Sequence, residues 1–166
     1  LDVVRRAPAA ELTNFAALLA LHRAGQRIEI VAPSSWSCVH GVGRWRSDCG
    51  CRVAPERGWH QRWRAPLREA VEWLAGELHG FFEREAAGLL ADPWAARDAY
   101  AESFGALGEP DLGFVRTHAG RALSDGEVVR AAELLELERN ALRLFTSCAW
   151  FFDDVGGLEQ FQILRY

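Results

Sequence analysis

The stretch SDGEVVRAAELLELERNALRLF, residues 124–145, decides the fold class of this chain. It opens with Ser124, a residue type that caps helices well, and Glu127 follows three positions later, which is the pattern of a capping box. Apolar residues then recur at spacings of three and four, as on one face of an α-helix: Val128, Ala131, Leu134, Leu135, Leu137, Leu142, Leu144 and Phe145. We therefore predict a long helix that runs to about Phe152.

Helical patterns occur on both sides of this segment. A long apolar-periodic stretch begins near Ala65, with Pro66 in its first turn, and Asp92 and Pro93 form a cap and first-turn pair. Further helices are predicted over residues 8–25, 93–104 and 158–165, with a connection over residues 105–113.

One part of the chain departs from the helical pattern. Residues 27–31 alternate polar and apolar side chains, as a strand does, and the Gly- and Ser-rich sequence from there to about Trp63 predicts a loop. The predicted fold is an all-α helical bundle with one long aromatic- and Cys-rich loop. It contains at most a short β segment near residues 27–31.

Composition limits the class of protein. The chain has 166 residues, 49% of them hydrophobic and 25% charged, with a net charge of −4, as in a soluble globular domain. The charge gives no support for nucleic-acid binding, and no apolar stretch reaches the roughly 18 residues that a membrane span needs. Four Cys are too few for a secreted disulfide scaffold, so we expect a cytoplasmic protein. Because Met is absent, we expect residues 1–166 to be a single helical domain excised from a longer polypeptide.

Residues 34–51, SSWSCVHGVGRWRSDCGC, place two Trp, three Cys, one His, one Asp and two Arg in eighteen positions. Loops that concentrate aromatic and titratable side chains are more often sites than scaffolding. Cys38, His40, Cys49 and Cys51 offer the thiolate and imidazole ligands that zinc prefers, with Cys148 as a spare. Buried free thiols are the alternative, because a single Gly between the last two Cys of the loop is shorter than the usual spacing in zinc sites.

The aromatic residues in and near the loop allow a different interpretation. Sugar rings present apolar faces, so carbohydrate sites combine flat aromatic side chains with hydrogen-bonding groups. Simple core filling is the alternative, because Trp buries a large apolar area. Asp153 and Asp154 fall at the end of the predicted long helix, where the helix dipole disfavours negative charge. We therefore expect them to form a salt bridge with an Arg of the loop.

Three stretches, residues 34–51, 58–70 and 144–166, together resemble domain of unknown function 3536, a helical domain found after the catalytic barrel of some proteins related to glycoside hydrolase family 57. One departure is His60, where the family pattern has Asn. In such proteins the catalytic carboxylates lie on the barrel. The resemblance therefore implies no catalytic residue in this chain, which alone would be inactive, whereas the full-length protein would be a glycoside hydrolase or glucanotransferase.

The resemblance also implies two partners, an upstream catalytic barrel of the same polypeptide and an α-glucan or oligosaccharide. The residues expected to contact the sugar are Trp36, His40, Trp45, Asp48, Trp59, Trp63 and Trp150. The alternative function is a structural or interaction module with a loop pinned by Cys and His, around zinc, and no ligand of its own. Exposed Trp faces along one groove favour the first function, and buried Trp with gathered sulfur atoms favours the second.

Overall fold

The structure is a computed structural model that describes residues 7, 12–22, 24–35, 37–104 and 110–166. Within these residues the regular elements are helical and no sheet forms, which confirms the all-α fold class. The α-helices are α1 Phe15–Leu21, α2 Arg64–Ala86, α3 Pro93–Ala99, α4 Leu112–Thr117, α5 Asp125–Arg143 and α6 Leu158–Ile163. Short 3-10 helices cover Gly41–Trp45, Pro55–Arg57, Tyr100–Ser103 and Ser147–Trp150. In this part of the chain no helix has the length and apolar character required to cross a membrane.

The chain divides into two compact units, one up to Ala32 and one from Pro33 onward. The first contains α1, which begins after Asn14, whose side chain accepts a hydrogen bond from the backbone N–H of Ala17 at 2.9 Å. The helix ends at Leu21 because His22 already has an extended backbone, so the predicted end at residue 25 is wrong. The predicted start, at residues 8–11, lies outside the described residues.

Residues 27–31, where the sequence allows at most a short β segment, lie outside the regular elements. These residues form no strand, and their side chains are exposed, with Ile28 at 82% and Ile30 at 81%. An alternating pattern forms a strand only where a neighbouring strand supplies hydrogen bonds and an apolar face. The described part of the structure offers these residues neither.

The second unit is built on the packing of α2 against α5. The capping box predicted at the start of α5 is confirmed, with reciprocal hydrogen bonds between Ser124 and Glu127. However, α5 ends at Arg143 rather than near residue 152. The Thr146 hydroxyl donates to the Arg143 carbonyl at 2.6 Å, and such a local side-chain bond competes with continuation of the helix.

The connection predicted over residues 105–113 contains the start of a helix in the structure. α4 begins after Asp111, whose side chain accepts from the backbone N–H of Gly113 at 2.8 Å. α3 starts as predicted, with the side chain of Asp92 accepting from the Ala95 N–H, and continues as a 3-10 helix to Ser103. Helices α2 to α5 share one apolar core, which contains Phe82, Ala86, Leu90, Ala96, Tyr100, Phe114, Val115, Val128, Ala131, Leu134 and Leu135.

A second, smaller core holds the long loop against the helices. Its buried members are Val71, Leu144, Ala149, Trp150 and Ile163. Trp45, from the 3-10 helix of the loop, packs against this cluster. The predicted long loop is confirmed, because the described residues between 33 and 63 contain only two short 3-10 helices.

Candidate metal centre

Four side chains of the loop converge on one point. The thiols of Cys38, Cys49 and Cys51 and the imidazole of His40 each offer one ligand atom, and these atoms lie within 4.8 Å of one another. The Cys38 Sγ is 3.8 Å from the Cys49 Sγ and 3.7 Å from the Cys51 Sγ. The Nδ1 of His40 is 3.2 Å from the Cys38 Sγ and 3.4 Å from the Cys51 Sγ.

The separations from Cys38 and from Cys51 to His40 are close to those of a tetrahedral site. Zinc bonds of about 2.3 Å to sulfur and 2.0–2.1 Å to nitrogen give S–S edges of about 3.8 Å and S–N edges of about 3.5 Å. The two S–S distances from Cys38 are 3.7 and 3.8 Å, and the S–N distances of 3.2 and 3.4 Å are slightly shorter. The group could therefore hold a metal ion, in agreement with the predicted set of ligands.

The backbone explains how so short a Cys–Gly–Cys spacing can converge. Gly50 adopts φ +80°, a left-handed conformation that favours glycine and reverses the chain between Cys49 and Cys51. The Asp48 side chain accepts a hydrogen bond from the Gly50 N–H at 3.0 Å and stabilises this turn. Gly41, with φ +59°, reverses the chain after His40 in the same way. The spacing that weakened the metal interpretation is thus compatible with convergence.

Cys49 is the member of the group whose thiol approaches Gln61 and Arg64, at the start of α2. Its Sγ lies 3.9 Å from Nη1 of Arg64 and 4.0 Å from Oε1 of Gln61. Burial raises the pKa of this thiol. Hydrogen bonds from the Cys51 backbone N–H, from Cys38 and from Arg44 outweigh burial, so its pKa lies below the ordinary value.

Cys51 has the opposite tendency. The hydrogen bond with Cys38, followed by burial and by the charges of the neighbouring thiols, raises its pKa above the ordinary value. Closely spaced thiols repel one another once they ionise, so one loses its proton before the next. A cation at the centre would remove this repulsion.

Behind Cys49 lies a buried polar network that was not predicted. Arg64, the first residue of α2, is fully buried and donates from Nη1 to Oε1 of Gln61 at 2.7 Å. Its Nη2 donates to the carbonyls of Phe151 and Phe152 at 3.3 Å each. The Gln61 amide donates both to the Cys51 carbonyl and to a carboxylate oxygen of Asp153. One network thus connects the metal-site loop, α2 and the segment after α5.

Asp153 is the anion of this network. Its Oδ2 accepts hydrogen bonds from the backbone N–H groups of Val53 at 2.8 Å and Ala54 at 2.9 Å. The expected position at a helix end is wrong, because α5 stops ten residues earlier in the chain, at Arg143. Burial raises the pKa of Asp153. Hydrogen bonds from Ala54, Gln61 and Val53, and the charge of Arg64, lower it below the ordinary value.

The aromatic residues expected at a sugar site have different surroundings. Trp150 is buried, at 1% exposure, and its indole N–H lies 3.5 Å from the Arg64 carbonyl. The indole N–H of Trp63 donates to the Asp153 carbonyl at 3.1 Å. Trp59 is half-buried beneath the guanidinium of Arg57, whose Cζ is 4.7 Å from the centre of the ring. These contacts are those of packed, structural side chains.

Trp45 borders a cleft at the surface. It lines a cleft of about 220 Å³ with Ser147, Phe151, Phe152 and Glu159 among its neighbours. Two other predicted sugar contacts have the roles described above. His40 is a member of the thiol group, and Asp48 stabilises the turn at Gly50. Trp36 lies outside the described residues, and the spare Cys148 is exposed and is not a member of the gathered group.

The fold and the site define a helical domain with a Cys- and His-rich loop fixed to its surface. The model of the family described as domain of unknown function 3536 (DUF3536) matches residues 59–166, and the chain belongs to this family. The match includes Gln61, Arg64 and Asp153, whereas the four gathered ligands precede it. Searches of curated proteins and of solved structures each gave no match.

Proposed function

We propose that this domain is a structural and interaction module in which a divalent metal ion, zinc by the chemistry of its ligands, fixes the long loop to the helical unit. The observation that supports this function is the convergence of three thiols and one imidazole within 4.8 Å, with four of the six separations between 3.2 and 3.8 Å. Three Cys and one His form a ligand set typical of structural zinc sites.

A structural role follows from the number of ligands. Catalytic zinc sites keep a position open for water or substrate, whereas four protein ligands close the coordination sphere. The described residues of the loop also lack regular secondary structure beyond two short 3-10 helices, so few backbone hydrogen bonds hold them in place. Metal binding would supply that missing folding free energy.

Metal content combined with loop variants tests this proposal. We expect the purified chain to contain about one zinc ion, and Cys49→Ser to lose most of it. Cys148→Ser is the matched control, because this exposed thiol lies outside the group and should leave the zinc content unchanged. A chain purified with zinc present that contains none, or a Cys49→Ser variant that keeps the wild-type content, contradicts the proposal.

The free thiols also support the proposed cytoplasmic location, where zinc–thiolate sites persist.

A second candidate is the accessory domain of a carbohydrate-active enzyme related to glycoside hydrolase family 57, with an upstream catalytic barrel as partner. The cleft beside Trp45 supports it, because an aromatic ring there lies near the carboxylate of Glu159. A groove of about 760 Å³ between α2 and α5, lined by Leu74, Val129 and other apolar residues, supports contact with another domain.

Titration with maltooligosaccharides tests the sugar-binding part of this second candidate. A saturable change in Trp fluorescence that Trp45→Ala abolishes would support it. Trp73→Ala is the matched control, since Trp73 is 68% exposed on α2 and should leave the response intact. A flat titration with the wild-type chain contradicts sugar binding by this domain.

A further inference from the structure

We infer that Arg64 and Arg44 are positioning residues of the proposed metal centre, which bind and neutralise the negative charge of its thiolates. This inference rests on the proposed function. It assigns a role to two buried Arg that the loop and helix patterns left unexplained.

The first observation that supports this role is the position of Arg64. The residue is fully buried, and its Nη1 lies 3.9 Å from the Cys49 Sγ while also donating to Gln61. Its Nη2 is held by the carbonyls of Phe151 and Phe152. The guanidinium is therefore fixed from both sides with one N–H edge toward the sulfur, as in an outer-shell partner of a metal ligand.

Arg44 lies beside Arg64 on the loop side. It is 4% exposed, and its Nη1 donates to the Phe151 carbonyl at 3.4 Å. The same carbonyl accepts a hydrogen bond from Arg64 at 3.3 Å. Two buried guanidinium groups thus meet next to Cys49, and both are anchored on the segment that follows α5.

The second observation is the balance of buried positive and negative charges. Arg44 and Arg64 bring two positive charges into the interior, and Asp153, at 3% exposure, brings one negative charge. The other buried carboxylate among the described residues, Glu138, contacts His79 instead, with both oxygens 2.9 Å from its Nδ1. Among the described buried residues, one positive charge therefore has no buried carboxylate to compensate it, and such a charge is costly in a protein interior.

The proposed centre supplies the missing charge. Three thiolates, one neutral imidazole and one divalent ion sum to −1, which balances the remaining guanidinium. A trivalent ion bound to three thiolates would leave the excess of +1. The two Arg therefore favour a centre that holds a divalent ion.

The test compares zinc affinities at one fixed pH by competition with a chromophoric chelator. From the effect of removing outer-shell partners, we expect Arg64→Gln to weaken zinc binding about 10–100-fold, with Arg64→Lys between Gln and wild type. Arg68→Gln is the matched control one turn along α2. The described hydrogen bonds of Arg68 go to Glu72 and to the Trp45 carbonyl, so its loss should leave the affinity unchanged.

A spectroscopic readout separates an electrostatic role from simple packing. Hydrogen bonds lower the energy of the sulfur lone pairs, so their loss should move the thiolate-to-metal band of the Co²⁺-loaded chain to longer wavelength in Arg64→Gln. Arg44→Gln should shift this band in the same direction, and it provides the test if Arg64→Gln fails to fold by circular dichroism. Wild-type zinc affinity and an unshifted band in a folded variant of either residue would overturn this inference and leave the proposed function standing. A wild-type chain that binds no zinc overturns the proposed function as well.

Discussion

Asp153 shows how one side chain can organise a long loop. Its carboxylate accepts two backbone N–H groups of the loop, those of Val53 and Ala54, and it also accepts from the Gln61 amide. Backbone groups in an irregular loop have no ladder of partners, so a buried carboxylate can satisfy them. Asp153 therefore fixes the part of the loop that follows the candidate metal centre.

Asp153→Asn should destabilise the domain by about 2–4 kcal/mol, because its amide NH₂ would face either the Gln61 amide donor or the two backbone donors, which share one oxygen, and Arg64 would lose a neighbouring anion. Urea unfolding of the chain, followed by circular dichroism, measures this change. Asp154→Asn is the neighbouring control, with an expected loss of about 0.5 kcal/mol or less. Equal effects of the two substitutions would contradict the assigned role.

The same carboxylate predicts a dependence of stability on pH. Because the pKa of folded Asp153 lies below its ordinary value of 3.8, the ionised form stabilises the fold fully above that value. This stabilisation is lost as the pH falls through the folded pKa. Unfolding free energies measured from pH 6 downward should therefore decline less steeply in Asp153→Asn than in the wild type. Parallel curves for the two proteins would show that this carboxylate does not contribute.

At the residue scale the sequence predicts which side chains gather better than it predicts hydrogen-bond partners. The chemistry of Cys38, His40, Cys49 and Cys51 alone groups them as candidate ligands, and the structure brings them together. The partners of Asp153 could not be, because they are backbone N–H groups whose availability depends on the folded path of the loop. The convergence of the thiols likewise depends on the positive φ of Gly50. Glycine permits this conformation, but a Gly in the sequence does not by itself predict it.

Among the elements, α5 has the clearest start. The Ser124 side chain accepts the Glu127 N–H, and the Glu127 carboxylate accepts the Ser124 N–H at 2.8 Å. The hydrogen bond with Arg121 first, and then those with Ser124, lower the pKa of Glu127 to about 2, so the capping carboxylate is ionised at neutral pH. The cap therefore satisfies donors at the end of the helix that carries much of the main core.

Ser124→Ala should destabilise the domain by about 1 kcal/mol, the usual effect of removing a helix cap. Thermal or urea unfolding measures the change. Ser147→Ala is the control, because Ser147 is an exposed residue in a 3-10 helix and should change stability by about 0.5 kcal/mol or less. A Ser124→Ala variant as stable as the control would show that the cap adds nothing to α5.

Helix starts were easier to predict than helix ends or short helices. Ser124 and Asp92 each mark a start through a local hydrogen bond that the sequence itself encodes. The end of α5 and the whole of α4 depend on less distinctive signals, the Thr146 hydroxyl and an Asp111 cap followed by Gly113. The alternation over residues 27–31 misled for a related reason, because a strand needs a partner that no local pattern supplies.

The unit from residue 33 onward contains two apolar clusters with different roles. The larger cluster packs helices α2, α3, α4 and α5 together, and the smaller cluster, around Trp150, supports the loop. Trp150 was expected at a sugar site, yet it is the largest fully buried side chain and lies beneath the buried polar network. From sequence alone a Trp in a core and a Trp in a binding cleft look the same, because both uses exploit a large apolar ring.

Trp150→Ala should destabilise the domain by about 3–5 kcal/mol, as expected when a buried aromatic ring is replaced by a cavity. Urea unfolding again measures the loss. Trp73→Ala, which removes a ring that is 68% exposed, should change stability by about 0.5 kcal/mol or less. If the two substitutions had equal effects, Trp150 would not be the centre of the smaller core.

We propose that three thiolates and one imidazole of the loop bind a single zinc ion. Zinc K-edge X-ray absorption of the zinc-loaded chain tests this proposal directly, because it counts the atoms bound to the metal. We predict three sulfur atoms at about 2.3 Å and one nitrogen at about 2.0 Å. Zinc bonded only to oxygen and nitrogen would contradict the proposal, since it would place the ion away from Cys38, Cys49 and Cys51.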